Sequence, residues 1–129
     1  MDPVTGFTGS FLVTLVALGA AAYSGRRARR KAHIPLVLLT ALLLAVTIYY
    51  AKQLGGIYDL ESAGLITPVH LAIAKIATAA LLLPILSGLA TLKNYECFKW
   101  HKRLAWSVIA MIVLAALTGT WMILAATPL

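Results

Sequence analysis

The chain has 129 residues, of which 61% are hydrophobic and 12% charged, and its formal net charge at pH 7 is +7. A mean hydropathy of +0.91 lies far from the balance of a water-soluble domain. Four apolar segments take up almost the whole length and leave no room for a separate soluble catalytic module. We therefore expect a single transmembrane domain over residues 1–129, with its function within or between its helices.

The four apolar segments are predicted to be membrane-spanning helices, each near the roughly 20 residues that a bilayer crossing needs. They cover about residues 4–23, 34–51, 65–92 and 104–124. Pro35 suits the first turn of the second helix, because the N–H that proline lacks would have no partner there. Pro84, well inside the third segment, predicts a kink. The sequence thus predicts an all-α, integral membrane four-helix up-down bundle.

The distribution of cations predicts how these helices are oriented. The first loop contains the run RRARRK at residues 26–31, and the third loop, at residues 93–103, contains four more cations. The second loop has only Lys52, with Asp59 and Glu61. Short loops rich in Lys and Arg stay on the cytoplasmic side, so both termini are expected on the outer, non-cytoplasmic side. A basic run of this kind can bind nucleic acid, but here it lies between two predicted spans and membrane orientation already explains it. We therefore expect no nucleic-acid partner.

Several kinds of site are not indicated by the sequence. Cys97 is the only cysteine, which argues against an intramolecular disulfide, a thiolate metal cluster and covalent haem attachment. A glycine-rich phosphate loop, a carboxylate pair within the membrane and a Ser/His/Asp set are also missing. We expect no independent catalytic activity, whereas a role in electron transfer stays open.

The positions of two histidines are the most informative feature of the chain. His33 precedes the second segment and His101 precedes the fourth. In an up-down bundle these helices are parallel, so the two imidazoles share one membrane depth, across the bundle interior. We predict that both ligate the iron of one b-type haem. Arg30, Lys102 and Arg103 lie near them and would receive the haem propionates.

The third histidine, His70, is predicted in the first turns of the third helix, on the outer side. No histidine on the first segment matches its level, so it would ligate a single cofactor, contact another subunit or have no ligand role.

Lys75 lies roughly 12 Å along the same helix and is costly in hydrocarbon unless it snorkels to the interface or meets a neighbouring subunit. Ala115 and Gly119 form a small-xxx-small pair of the kind that lets helices approach closely.

Three stretches carry a resemblance to a known family: RRKAHIPLVLLTALLL, TPVHLAIAKIATAALLLPILSGL and KWHKRLAWSVIAMIVLAALTGTWMIL. Together they resemble small four-helix membrane proteins of the cytochrome b-561-like type, including uncharacterised groups found near respiratory or photosynthetic genes. The resemblance covers residues 30–124 and is best defined around His101, Thr118 and Gly119. It implies a haem-linked or oxidase-associated membrane role, with His33, His70 and His101 on the family's histidine positions; Lys75 departs from a usually apolar third helix.

Three functions are consistent with these patterns. The first is a membrane subunit or accessory of an electron-transfer complex with haem b between the second and fourth helices. The second is a cofactor-free structural or assembly subunit of a respiratory or photosynthetic complex. The third is a subunit that ligates chlorophyll through one histidine. The expected partners are the lipid bilayer and other membrane subunits, quinone is a further candidate, and the expected location is the bacterial inner membrane or an equivalent energy-transducing membrane.

Overall fold

The computed structural model describes all 129 residues and is almost entirely helical. The helices are α1 (Pro3–Arg26), α2 (Arg30–Leu54), α3 (Ile66–Ala80), α4 (Leu82–Lys93) and α5 (Phe98–Ala125). Two-residue strands, β1 (Tyr58–Asp59) and β2 (Thr127–Pro128), form a small sheet, and 3-10 turns cover Leu60–Ala63 and Tyr95–Cys97. Four stretches are long and apolar enough to cross a membrane: Pro3–Arg26, Arg30–Leu54, Ile66–Lys93 and Tyr95–Ala125. The prediction of an all-α chain with four spans is confirmed.

The second helix begins earlier than predicted. It starts at Arg30, not near residue 34, so Pro35 lies inside the helix and not in its first turn. Proline leaves the carbonyl four residues earlier, that of Lys31, without its helical partner. This carbonyl lies in the first turn of an exposed end, where water can satisfy it. His33 is consequently part of the first turn of α2.

The third span is divided into two helices. α3 ends at Ala80 and α4 begins at Leu82, within the span that was predicted over residues 65–92 with a kink near Pro84. Pro84 has no N–H to donate to the carbonyl of Ala80, and its ring crowds that carbonyl. The predicted kink is therefore confirmed as a break of the helix one turn before the proline.

The chain divides into two compact units, Met1–Tyr58 with Leu129 and Asp59–Pro128. In the first unit, α2 contacts α1 in reverse order along the chain. A Cβ placed on Gly6 would meet the ring of Tyr50, the hydroxyls of Thr14 and Thr47 are 3.0 Å apart, and His33 contacts the C-terminal end of α1. The two helices of this unit are therefore antiparallel.

The face that α1 buries consists of small and hydroxyl-bearing residues. They recur every three or four positions, as one stripe of a helix requires: Gly6, Thr14, Ala17, Ala21 and Ser24. Large apolar residues lie on the opposite face, with Val16 74% exposed. This is the reverse of a water-soluble helix and matches a membrane helix, whose large side chains meet lipid while small residues allow close packing. The lipid bilayer is the natural surrounding of this surface.

The second unit packs α3 and α4 against α5. Its buried residues include Ala77 on α3 and Val108, Ile112 and Met122 on α5. The start of α3 is fixed by the Thr67 hydroxyl, which donates to the carbonyl of Leu60. The segment after α5 is held by the N–H of Thr127, which donates to the Ser62 hydroxyl at 2.9 Å. Both ends of this unit are thereby tied to one loop.

Close packing in the first unit predicts a strong effect of Gly6→Ala. The new Cβ would clash with the ring of Tyr50, so the helices must move apart or the ring must turn. Gly9→Ala is the matched control, because nothing lies within 4 Å of its Cβ position. We expect a lower midpoint of unfolding in detergent for Gly6→Ala, and an unchanged or higher one for Gly9→Ala, since alanine stabilises helix interiors by about 0.5–1 kcal/mol. Equal midpoints would contradict the packing.

Candidate functional site

His33 packs against the C-terminal end of α1. Its Nδ1 lies 2.9 Å from the carbonyl oxygen of Ala21 and 3.3 Å from the hydroxyl of Ser24. A Cβ on Gly25 would lie 3.0 Å from the imidazole Cε1, so only glycine leaves ordinary room for the ring there. The Ser24 hydroxyl donates to the Ala21 carbonyl at 2.9 Å, which leaves its oxygen to accept from the imidazole.

His101 has the same surroundings in the second unit. Its Nδ1 lies 3.0 Å from the carbonyl oxygen of Pro84 and 3.1 Å from the hydroxyl of Ser87. A Cβ on Gly88 would lie 3.2 Å from the imidazole Cε1. Pro84 therefore interrupts the third span and also supplies the acceptor for this histidine.

His70 repeats the arrangement at the other end of the second unit. Its Nδ1 lies 3.1 Å from the hydroxyl of Thr118, and it has a further hydrogen bond with the backbone of Ala115. A Cβ on Gly119 would lie 2.7 Å from the imidazole Cε1. The small-xxx-small pair Ala115 and Gly119 thus makes room for an imidazole.

One sequence pattern underlies all three contacts. A backbone carbonyl, a hydroxyl three residues later and a glycine next to it form what we call a histidine socket. The three sockets are Ala21–Ser24–Gly25 for His33, Pro84–Ser87–Gly88 for His101, and Ala115–Thr118–Gly119 for His70. The chain has five Ser/Thr–Gly dipeptides. In the two that are not sockets, the glycine of Thr5–Gly6 meets the ring of Tyr50, and nothing lies within 4 Å of the Cβ position of Gly9 in Thr8–Gly9. Sequence reasoning missed this pattern, although the dipeptide itself was a readable signal.

The sockets determine the tautomer of the neutral imidazoles. A carbonyl oxygen can only accept a hydrogen bond, so Nδ1 carries the proton in each ring and donates it. The lone pair is then on Nε2. Metal-ligating histidines in proteins use this arrangement, with the second ring N–H held by a backbone carbonyl or a similar acceptor. The donor set therefore fits axial ligation of a tetrapyrrole metal.

The other predicted site residues lie at the surface. Arg30, Lys102 and Arg103 are exposed, and Arg30 and Lys102 are next to the first turns that carry His33 and His101. The guanidinium carbon of Arg103 lies 5.8 Å from the centre of the Trp100 ring. Exposed guanidinium and ammonium groups at this position are suited to carboxylate partners.

The structure separates two of the three histidines. His70 and His101 lie at opposite ends of the second unit, because the socket of His70 is 17 residues beyond His101 on α5, about 26 Å along the helix axis. They cannot share one cofactor. His33 belongs to the other unit. No group of three or more His, Cys, Asp or Glu side chains is placed to hold a metal ion, and Cys97 is a free thiol.

The chain was compared with family models, with curated proteins and with solved structures. None of them matches. The resemblance to cytochrome b-561-like proteins therefore stays a prediction.

The sockets predict a measurable role for Ser87. Ser87→Ala removes one acceptor of the His101 Nδ1 proton, at an expected cost of about 1 kcal/mol of unfolding free energy. Ser107→Ala is the matched control, because this exposed serine only donates to the carbonyl of Arg103 in its own helix. Nitrogen NMR of histidine-labelled protein should show Nδ1–H tautomers for all three imidazoles. An Nε2–H tautomer for His101 would contradict the geometry.

Proposed function

We propose that this protein is a membrane subunit of an electron-transfer complex and holds one b-type haem through His33 and His101. The observation that supports this most is the shared tautomer: both rings donate Nδ1–H to a carbonyl and place the lone pair on Nε2. Two imidazole ligands are enough for such a haem, because the macrocycle supplies the other four nitrogens.

The pairing of His33 with His101 rests on their matching positions along α2 and α5. Each lies in the first turn of its helix and contacts the preceding helix, His33 at the C-terminal end of α1 and His101 in the first half of α4. With the cation-rich loops on the cytoplasmic side, both rings enter the membrane from that side. Equal depth is the condition for two axial ligands of one iron.

Charge next to the two histidines supports the same ligand. Haem has two propionates, which need cationic or strongly polar partners where water is scarce. Arg30 and Lys31 precede His33, and Lys102 and Arg103 follow His101. These side chains would bind the propionates and set the macrocycle's tilt. When bound, the haem would supply one-electron transfer with both axial positions of iron filled.

Orientation is part of the proposal and can be tested with the single cysteine. Cys97 follows the cation-rich end of α4, so a membrane-impermeant maleimide should label it in inverted vesicles and not in right-side-out ones. Glu61→Cys in a Cys97→Ser background is the control, because Glu61 belongs to the opposite loop and should label with the reverse preference. Labelling of both sites from the same side would exclude the up-down order.

The haem itself is tested by the reduced-minus-oxidised visible spectrum of protein purified from haem-replete cells. We expect a sharp low-spin b-type band with one haem per chain. His33→Ala and His101→Ala should each abolish the low-spin band, while His70→Ala should retain it. No band in a fully loaded preparation would favour the cofactor-free assembly subunit. A band retained in His101→Ala would disprove the ligand pair.

A further inference from the structure

The turn between α1 and α2 concentrates a residue type that membrane orientation alone does not require. Four of the five arginines of the chain lie there, at Arg26, Arg27, Arg29 and Arg30, whereas three of the four cations in the third loop are lysines. The rule that keeps basic loops on the cytoplasmic side counts lysine and arginine alike. Arginine differs in its planar guanidinium, whose N–H groups bind a phosphate in pairs, while the lysine ammonium acts as a point charge. The arginine content of this turn therefore indicates a phosphate partner.

The backbone of this turn is fixed by its own hydrogen bonds. Ala28 has a φ of 53°, the only positive φ outside glycine in the chain. Its N–H donates to the carbonyl of Gly25 at 3.1 Å, and the N–H of Arg29 donates to the carbonyl of Ser24 at 3.0 Å. A residue in the left-handed region with this pair of bonds is a common ending of a helix. Because these N–H groups are already bonded, the guanidinium groups are the donors that the turn offers to an anion.

No acidic side chain of the first unit lies near these arginines. Asp2 is the only Asp or Glu of that unit, and it caps the other end of α1, about 36 Å away along the helix axis. The first turn of α2 contains no acidic residue, and its N-cap residue, Arg29, makes no capping bond through its side chain. Cations at a helix N-terminus are unfavourable, because the helix dipole places a partial positive charge there. An external anion would offset this charge and the repulsion among the arginines.

The position of the turn favours a lipid headgroup as the source of that anion. Only Arg27, Ala28 and Arg29 separate α1 from α2, which have 24 and 25 residues and are apolar enough to cross a membrane. Helices of about 36–38 Å end within the headgroup layer of a bilayer that is about 40–45 Å thick. The guanidinium carbon of Arg27 lies 5.5 Å from the centre of the exposed Tyr23 ring, and tyrosine is enriched at this level. Anionic lipids attract basic segments that adjoin a span.

We propose that Arg26, Arg27 and Arg29 bind the phosphate of an anionic phospholipid at the end of the first unit where α1 meets α2. The acyl chains of this lipid lie along the exposed apolar faces of the two helices. The site is independent of the proposed haem, whose propionates are assigned to other cations, Arg30 and Lys31 among them. Paired guanidinium bonds make the site specific for arginine, so a lysine of equal charge is not an equivalent replacement.

The test uses native mass spectrometry of the full-length chain in detergent, with phosphatidylglycerol and phosphatidylcholine of identical acyl chains added in equal amounts. The unsubstituted chain should retain phosphatidylglycerol roughly tenfold more strongly or better, because several cations contribute. The triple variant Arg26→Gln/Arg27→Gln/Arg29→Gln should lose this preference. The matched control removes the same charge outside the turn and should keep the preference: Lys52→Gln/Lys93→Gln/Lys99→Gln. Equal retention of the two lipids by the unsubstituted chain, or loss of the preference in the control, would overturn the proposal.

A second variant separates a guanidinium site from a diffuse attraction between charges. Arg26→Lys/Arg27→Lys/Arg29→Lys keeps the net charge and the basic loop, so its orientation and folding should be unchanged. It also decides the question if the glutamine variant does not fold. We expect it to retain phosphatidylglycerol several-fold more weakly, since an ammonium cannot form the paired bonds. Binding equal to that of the unsubstituted chain, at equal helical content by circular dichroism, would show a diffuse surface charge and overturn the proposed site.

Discussion

An imidazole can pack inside this membrane protein only if its ring N–H finds an acceptor on the neighbouring helix. A polar group left without a partner in hydrocarbon costs several kcal/mol, so each histidine depends on its carbonyl and hydroxyl. Helical carbonyls already accept from their own helix, and they can accept a second bond because oxygen has two lone pairs. Glycine at the adjacent position brings the ring near enough to use them. The socket therefore links helix packing directly to the chemical state of the ring.

The same requirement explains why the two helices of the first unit are held together by small polar residues. In lipid, large apolar side chains gain little from meeting each other, so close approach and hydrogen bonds must supply the association between helices. The Thr14 and Thr47 hydroxyls provide one such contact, 3.0 Å apart and buried. Hydroxyls that also bond to carbonyls of their own helix, as Thr14 does with Ser10, leave no unpaired polar atom. Packing and polar satisfaction are achieved by the same side chains.

The spans could be predicted from the sequence, because a run of apolar residues near bilayer length has few other stable conformations. The residues that contact each histidine could not be predicted from the sequence. Whether Ser24 meets His33 depends on the exact phase of two helices. Pro35 was expected in the first turn of α2, but the helix begins about one turn earlier, at Arg30. Pro84 was read as a kink alone, since its carbonyl becomes an acceptor for His101 only after α4 and α5 have packed. The packing of the helices, and not the local sequence, determines which ring lies against each Ser/Thr–Gly pair.

Charge in the neighbouring sequence distinguishes His33 and His101 from His70. His33 and His101 are each flanked within three residues by Arg or Lys, whereas the nearest cation along α3 from His70 is Lys75, five positions away and exposed. Five positions correspond to about 140° around a helix, so this ammonium lies on a different face from the imidazole. The cations next to His33 and His101 therefore suit carboxylate partners, whereas α3 offers no cation on the face of His70. Of the two other Ser/Thr–Gly pairs, Thr5–Gly6 packs against the ring of Tyr50 in place of an imidazole, whereas nothing lies near the Cβ position of Gly9 in Thr8–Gly9.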